Sequence, residues 1–237
     1  QVLRTFAPVQ VYAQTLLAVK LIQADPRVVG LNFVAPEDHR IALRDYRQHM
    51  RFVAELSAAF PSRPAGIALH AGELTMGLVP PEDLGWHIRD AVATAGATRI
   101  GHGIDIAYDD DMDGLLKTMA KQDVMVEINL TSNDVILGIT GAAHPLPTYL
   151  EYGVPVTLST DDEGVSRIDL THEYQRAATT YNLGYSQLRG FARNSLQYSF
   201  LPGARLFDNP EKGQAVSACA NQDLGSTDTS GMCAEFL

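Results

Sequence analysis

The sequence predicts an α/β fold built on a parallel sheet. Two observations carry this expectation. Short apolar, β-branched runs alternate along the chain with longer segments of helical spacing. In addition, three clusters of metal-ligating residue types each stand at the end of one apolar run. They are His70-Ala71-Gly72-Glu73 after Ile67-Ala68-Leu69, His102 within Arg99-Ile100-Gly101-His102-Gly103, and Asp161-Asp162-Glu163 after Val156-Thr157-Leu158-Ser159-Thr160. Parallel sheets present functional side chains at the carboxyl ends of their strands. Two imidazoles and a carboxylate form a good donor set for a divalent metal.

The elements follow in order. Residues 11–22 combine good helix formers with apolar spacing, and Asp25-Pro26 stops them. Residues 28–34 are apolar and β-branched and read as a buried strand. Residues 45–60 form a second helix ended by Pro61, and 66–69 the next strand. Residues 80–95 read as one helix, opened by Pro81 and Glu82 in its first turn and closed by Gly96. The alternation continues with a strand at 99–104, a helix at 112–121, a strand at 124–129, a helix at 145–152 ended by Gly153, and a strand at 154–159. Helices at 170–181 and 185–200 complete the folded part. Five strands, each followed by helix, imply right-handed crossovers. Apolar periodicity fades after Pro202, so residues 1–203 read as one folded unit and 204–237 as a C-terminal appendage.

Composition narrows the functional classes. The 237 residues are 46% hydrophobic and 19% charged, an ordinary globular mixture able to bury a core. A net charge of −10 argues against general affinity for nucleic acid or anionic lipid. No apolar run is long enough to span a bilayer, and Lys20 interrupts the longest candidate at 16–22. The sequence opens at Gln1 without a basic-then-apolar leader, so the expectation is a removed leader or a piece of a longer chain. Cys219 and Cys233 both fall in a Gly/Ser/Thr/Asp-rich tail. They read either as a disulfide, which would imply an oxidising compartment such as the periplasm or the exterior, or as two unpaired thiols.

Five segments together resemble the adenosine deaminase family of metal-dependent TIM-barrel hydrolases. They are Val29-Gly30-Leu31-Asn32-Phe33 with its following loop, His70-Ala71-Gly72-Glu73, Arg99-Ile100-Gly101-His102-Gly103, Glu127-Ile128-Asn129-Leu130-Thr131-Ser132-Asn133, and Ser159-Thr160-Asp161-Asp162. Their order and spacing cover residues 10–203. The resemblance implies a (β/α)8 barrel of which this chain supplies the last five strand–helix units. The family's first strand carries a His-x-His pair that holds the metal. Here the seven histidines are 39, 49, 70, 87, 102, 144 and 172, and no two are two apart. The remaining barrel half is therefore expected on a separate chain or in a segment outside this sequence. Open strand edges argue against this piece folding alone.

The resemblance also implies roles. Zn2+ is the cofactor and a purine nucleoside the substrate. His70 matches a metal ligand and Glu73 the proton donor. His102 matches the histidine that holds and helps deprotonate the metal-bound water. Asp161 matches the metal carboxylate, which shares in catalysis, and Asp162 a residue contacting N7 of the purine. Since N7 and an ionised carboxylate both accept, that last contact needs a proton on one partner. Gly72 falls at the substrate side of its motif. Ala35 stands where the family commonly has a glycine whose N–H binds the base; the donor survives, but the methyl crowds the approach.

The residues by themselves leave blander readings open. These are a core histidine at 70, a first-turn helix carboxylate at 73, a packed strand histidine at 102, and a helix cap at 161–162. Gly101-x-Gly103 is not a dinucleotide fingerprint, because Ile106 stands where the third glycine belongs. The acidic run 109–113 lacks the glycine and terminal glutamate of a calcium loop and reads as a solvated helix cap. Asn129, Ser132 and Asn133 either shape the pocket or serve a turn, and His144-Pro145 marks a loop before a helix. The function expected is hydrolytic deamination of adenosine or 2′-deoxyadenosine to inosine and ammonia. One alternative is a deaminase of adenine or another 6-aminopurine derivative, although no Lys/Arg cluster offers a phosphate clamp. The other is a secreted binding or signalling protein on a deaminase scaffold.

Overall fold

In the computed structural model, which describes residues 1–222 and 231–236, hydrophobic spacing and breakers set the elements. After β1 (Val2–Leu3), α1 (Pro8–Ala24) begins with proline at its first position and buries Val11, Thr15, Val19 and Ile22 on one face. The apolar run at 28–34 forms two short strands, β2 (Gly30–Leu31) and β3 (Phe33–Val34), interrupted at Asn32. α2 (Arg40–Ala59) starts five residues before the expected position, because the Nδ1 of His39 accepts from the Ile41 N–H and caps it. β4 (Gly66–Ala71) follows.

The single helix expected at 80–95 is two pieces: a 3-10 turn at Pro81–Asp83 and α3 (His87–Ala93). Gly85 separates them with φ +80°, and a Cβ there would stand 2.1 Å from the Tyr108 carbonyl oxygen. β5 (Arg99–His102) ends at Gly103, which adopts the left-handed conformation and leads into a 3-10 segment, Ile104–Tyr108. α4 (Met112–Lys121) is capped by the Asp111 carboxylate, which accepts from the Gly114 N–H; the acidic run here acts as a helix cap. β6 (Met125–Ile128) leads directly into α5 (Leu130–Leu137), a helix that the sequence reading did not assign. α6 (Leu146–Glu151), β7 (Val156–Leu158), a short α7 (Glu163–Ser166), α8 (Leu170–Tyr181) and α9 (Tyr185–Gln197) complete the series.

The strands β2-β4-β5-β6-β7 form one parallel sheet in chain order, the five predicted strands. β3 continues the path of β2 and pairs in parallel with β1, so the sheet gains a sixth strand position at its start. Sequential parallel order with helices between makes this a partial (β/α) barrel. β1 and β7 do not pair with each other, so both edges stay open. The main core runs through all strands and the inner helix faces, from Val2 and Val11 to Leu158, Ala177 and Phe191. The ring of Phe200 lies against Gly30 and Gly66, where a Cβ would come within 2.7 Å and 2.2 Å of it, and covers the amino end of the sheet.

Beyond residue 203, β8 (Phe207–Asn209) and β9 (Gln214–Ala215) form an antiparallel pair. Gln197 exchanges two hydrogen bonds with the Phe207 backbone, and Arg205 pairs with Asp123. Cys219 and Cys233 are joined as a disulfide and pack with Val216 in a small separate cluster beside α10 (Met232–Phe236). No described helix is long and apolar enough to cross a membrane.

Candidate active site

His70, at the carboxyl end of β4, is placed from both sides. Its Nδ1 meets Asn32 Oδ1 at 3.0 Å, so Nδ1 carries the proton and Nε2 keeps its lone pair. Its carbonyl oxygen accepts from the Arg4 guanidinium at 2.9 Å. Burial, then the nearby Arg4 charge, lowers its pKa and keeps the ring neutral. The strand break at Asn32 thus has a function in the site, because it turns that side chain toward His70.

His102 ends β5 with φ +69°, a backbone conformation rare for a non-glycine residue. Its ring is fully buried, with the ring of His70 5.2 Å away. Its Nε2 lies 3.9 Å from Asp161 Oδ2 and its Nδ1 3.6 Å from Glu73 Oε1. Burial, with His70 alongside, lowers its pKa to about 3. Asp161 stands in the loop after β7, with φ +53°, and accepts at Oδ2 from Ser132 Oγ at 2.7 Å. One ligand atom from each of His70, His102 and Asp161 lies within 4.8 Å of the others. The set mixes imidazole nitrogen with carboxylate oxygen and leaves His70 Nε2 free, a chemistry that fits zinc as well as it fits any first-row divalent ion.

Glu73 sits two residues beyond β4, with its side chain mostly shielded from water. Burial and the carboxylates of Glu37 and Asp161 raise its pKa to about 8, so it holds a proton at neutral pH. Its backbone is fixed by a residue that sequence reasoning missed. Glu37 Oε1 accepts from the Gly72 N–H at 3.1 Å and Oε2 from the Glu73 N–H at 2.9 Å. The same carboxylate takes His87 Nδ1 at 2.6 Å and faces Arg4 Nη1 at 3.9 Å. Burial would push Glu37 upward, but its bond to His87 and the charges of His87 and Arg4 hold it down at about 2. The only trace of it in the sequence is position: it falls in the loop just past a matching segment.

The other expected residues are placed as follows. Gly72, with φ +75°, has no free backbone group. Its N–H goes to Glu37, and its carbonyl accepts from Ile104 and Asp105; a Cβ would come 2.3 Å from Asp105 Oδ1. Ala35 also lies in the left-handed region, at φ 76°. Asp162 is exposed at the start of α7 and stays outside the His70–His102–Asp161 group, its carbonyl accepting from Val165 and Ser166. Asn129 and Asn133, buried, both reach His102 through their side-chain amides.

Comparison with known proteins agrees with this arrangement. The family model described as adenosine deaminase matches residues 4–207. An adenosine deaminase of Escherichia coli (strain SE11) is 38% identical over 143 residues, which make up 59% of this chain and 40% of that protein. The chain therefore spans less than half the length of the curated relatives it matches. An adenine deaminase from Arthrobacter aurescens superposes with a TM-score of 0.63 at 20% identity, over 84% of this chain and 54% of that one. A zinc-bound cog1816 amidohydrolase from Burkholderia ambifaria gives 0.63 at 17% identity, over 89% and 52%. At these identities the structural likeness is one of fold. The partial barrel, the strand-end histidines and the family match over nearly the whole folded part converge, and the chain belongs to the adenosine deaminase family.

Proposed function

We propose that this protein is a zinc-dependent aminohydrolase that converts adenosine or 2′-deoxyadenosine to inosine and ammonia. The observation that carries the reading is a shielded carboxyl, Glu73, 3.6 Å from His102 beside the His70–His102–Asp161 group at the carboxyl ends of parallel strands. His70 Nε2 and Asp161 would hold the ion. Bound there, zinc lowers the pKa of water toward 7 and so provides a nucleophile at neutral pH.

The chain's own groups supply the rest. Asp161 and His102, 3.9 Å apart, flank the position of the attacking oxygen. Water adds to C6 of the purine and loses one proton to Asp161 while Glu73 gives its proton to N1, so the ring nitrogen takes up the displaced electron pair as a neutral N–H. Asp161 passes its proton to the amino group, which leaves as ammonia, and the C6 hydroxyl returns a proton to Glu73, leaving the 6-oxopurine. Asp162 would contact the base at N7, and the Ala35 N–H and the Gly72 turn would line its approach. Arg4 is paired with Glu37 and Arg176 with Asp134, so neither is left to clamp a phosphate, which favours a nucleoside over a nucleotide. The Cys219–Cys233 disulfide favours an oxidising compartment.

The test is Glu73→Gln in the intact protein. Zinc content should stay unchanged while ammonia release from adenosine falls ~10²-fold or more. Wild-type turnover in that variant would remove Glu73 from the reaction. Parallel rates on adenosine, adenine and adenosine monophosphate decide the substrate class.

A further inference from the structure

Behind His102 runs a chain of hydrogen bonds whose direction is fixed from its far end. The backbone N–H of Leu146 donates to His144 Nδ1 at 3.0 Å. A backbone amide can only donate, so Nδ1 of His144 is the unprotonated nitrogen. The neutral ring then carries its proton on Nε2, which lies 3.1 Å from Asn133 Oδ1. Asn133 must therefore turn its oxygen to His144 and its amide nitrogen to His102, where Nδ2 stands 2.9 Å from Nδ1. Asn129 Nδ2 lies near both ring nitrogens, 3.3 Å from Nδ1 and 3.5 Å from Nε2, and favours neither. No member of this chain can be reversed without placing two donors or two acceptors face to face. His144, Asn133 and His102 are all buried, at 2%, 0% and 0% exposure, so water cannot substitute for a missing partner. Burial and the neighbouring Arg176 keep His144 neutral, in keeping with the donor count.

We propose that His144, acting through Asn133, is a positioning residue that fixes the proton of His102 on Nε2. The Nε2–H then faces Asp161 and His70, and His102 enters the site as a hydrogen-bond donor with its other nitrogen engaged. On the deaminase reading above, on which this consequence rests, His102 holds the attacking oxygen by donating to it, and Asp161 is the group left to accept the proton that water loses.

The test reads the tautomer directly. In intact protein labelled with 15N-histidine, long-range 1H–15N spectra report which ring nitrogen is protonated, and His102→Asn identifies the His102 signals. Wild type should show His102 as Nε2–H. Asn133→Asp replaces the donor by an acceptor and should move the proton to Nδ1. His144→Phe should give a mixture of tautomers, while His144→Gln keeps both the acceptor for Leu146 and the donor for Asn133 and should restore Nε2–H. In zinc-loaded protein Asn133→Asp should lower kcat ~10²-fold with little change in KM, and His144→Phe should lower it only in proportion to the Nε2–H share it loses. A wild-type His102 protonated on Nδ1, or an unchanged spectrum in whichever of Asn133→Asp and His144→Phe remains folded, overturns the proposal. An Nε2–H ring in a protein that releases no ammonia would instead retain the relay and reject the deaminase reading.

Discussion

Glu73 and Glu37 are two carboxyls bonded through one stretch of backbone, and they titrate in opposite directions. In metal-free protein Glu73 is raised from 4.5 to about 8. The folded state holds its proton more tightly than the unfolded state, so this stability is complete below pH 4.5 and is lost as pH rises through about 8. The slope is at most ~1.4 kcal/mol per pH unit. Urea denaturation across that range should show the decline in wild type and a flatter profile in Glu73→Gln; equal slopes would contradict the assignment. Glu37, held at about 2, has the reverse sign. Its contribution is present above pH 4.5 and disappears as pH falls through about 2. Glu37→Gln leaves the buried Arg4 charge without its carboxylate and should cost ~3–5 kcal/mol at pH 7, measured by denaturant midpoint. A loss below ~1 kcal/mol would show that water or another group compensates. His70, His102, Glu73 and Asp161 were legible because each closes an apolar run. Arg4, Glu37 and Asn32 were not, because they work by hydrogen bonding across segments distant in sequence, and such contacts leave no spacing signal.

At the scale of elements, the breakers that sequence reasoning used were sound, and the one long element it misjudged broke at a glycine of positive φ. Helices at 112–121 and 170–181 were read to the residue, since Asp111 and Asp169 cap them and apolar spacing fills them. The helix at 80–95 failed at Gly85, whose hydrogen is pressed against the Tyr108 carbonyl. Gly85→Ala should therefore destabilise the protein by more than ~1 kcal/mol, beyond a helix-propensity gain of similar size, and thermal melting checks it. A rise in melting temperature would mean that the break is not required by packing. β1 and α7 escaped because two- and four-residue elements are held by partners rather than by pattern. Val2 and Leu3 are a strand only because Phe33 and Val34 lie alongside. α5 was hidden by its polar start, where Ser132 bonds to Asp161 and Asn133 to His102 while Thr131 accepts from Arg176.

For the whole molecule, strand order and the alternation with helices were readable from the sequence, and among the described residues β1 and β7 stay unpaired with each other, so the sheet does not close. Val216, Cys219 and Cys233 form their own small cluster, away from the main core. Reduction of the disulfide should thus release the tail to proteolysis while the main unfolding transition moves little. A large drop of that transition on reduction would mean that the tail holds the barrel strands together. The hydrogen bonds of Gln197 to Phe207 mark where the attachment to α9 begins.

Ala35, His102 and Asp161 all hold left-handed backbone without being glycine, a conformation that costs ~1–2 kcal/mol at each. A random library of this chain screened for heat tolerance alone would therefore enrich glycine or asparagine at 35 and 161, but not at 102, where loss of the buried ring strands the Asn133 amide. Its winners at 161 would be sturdier and inert, because robustness and chemistry compete there for the same Cβ.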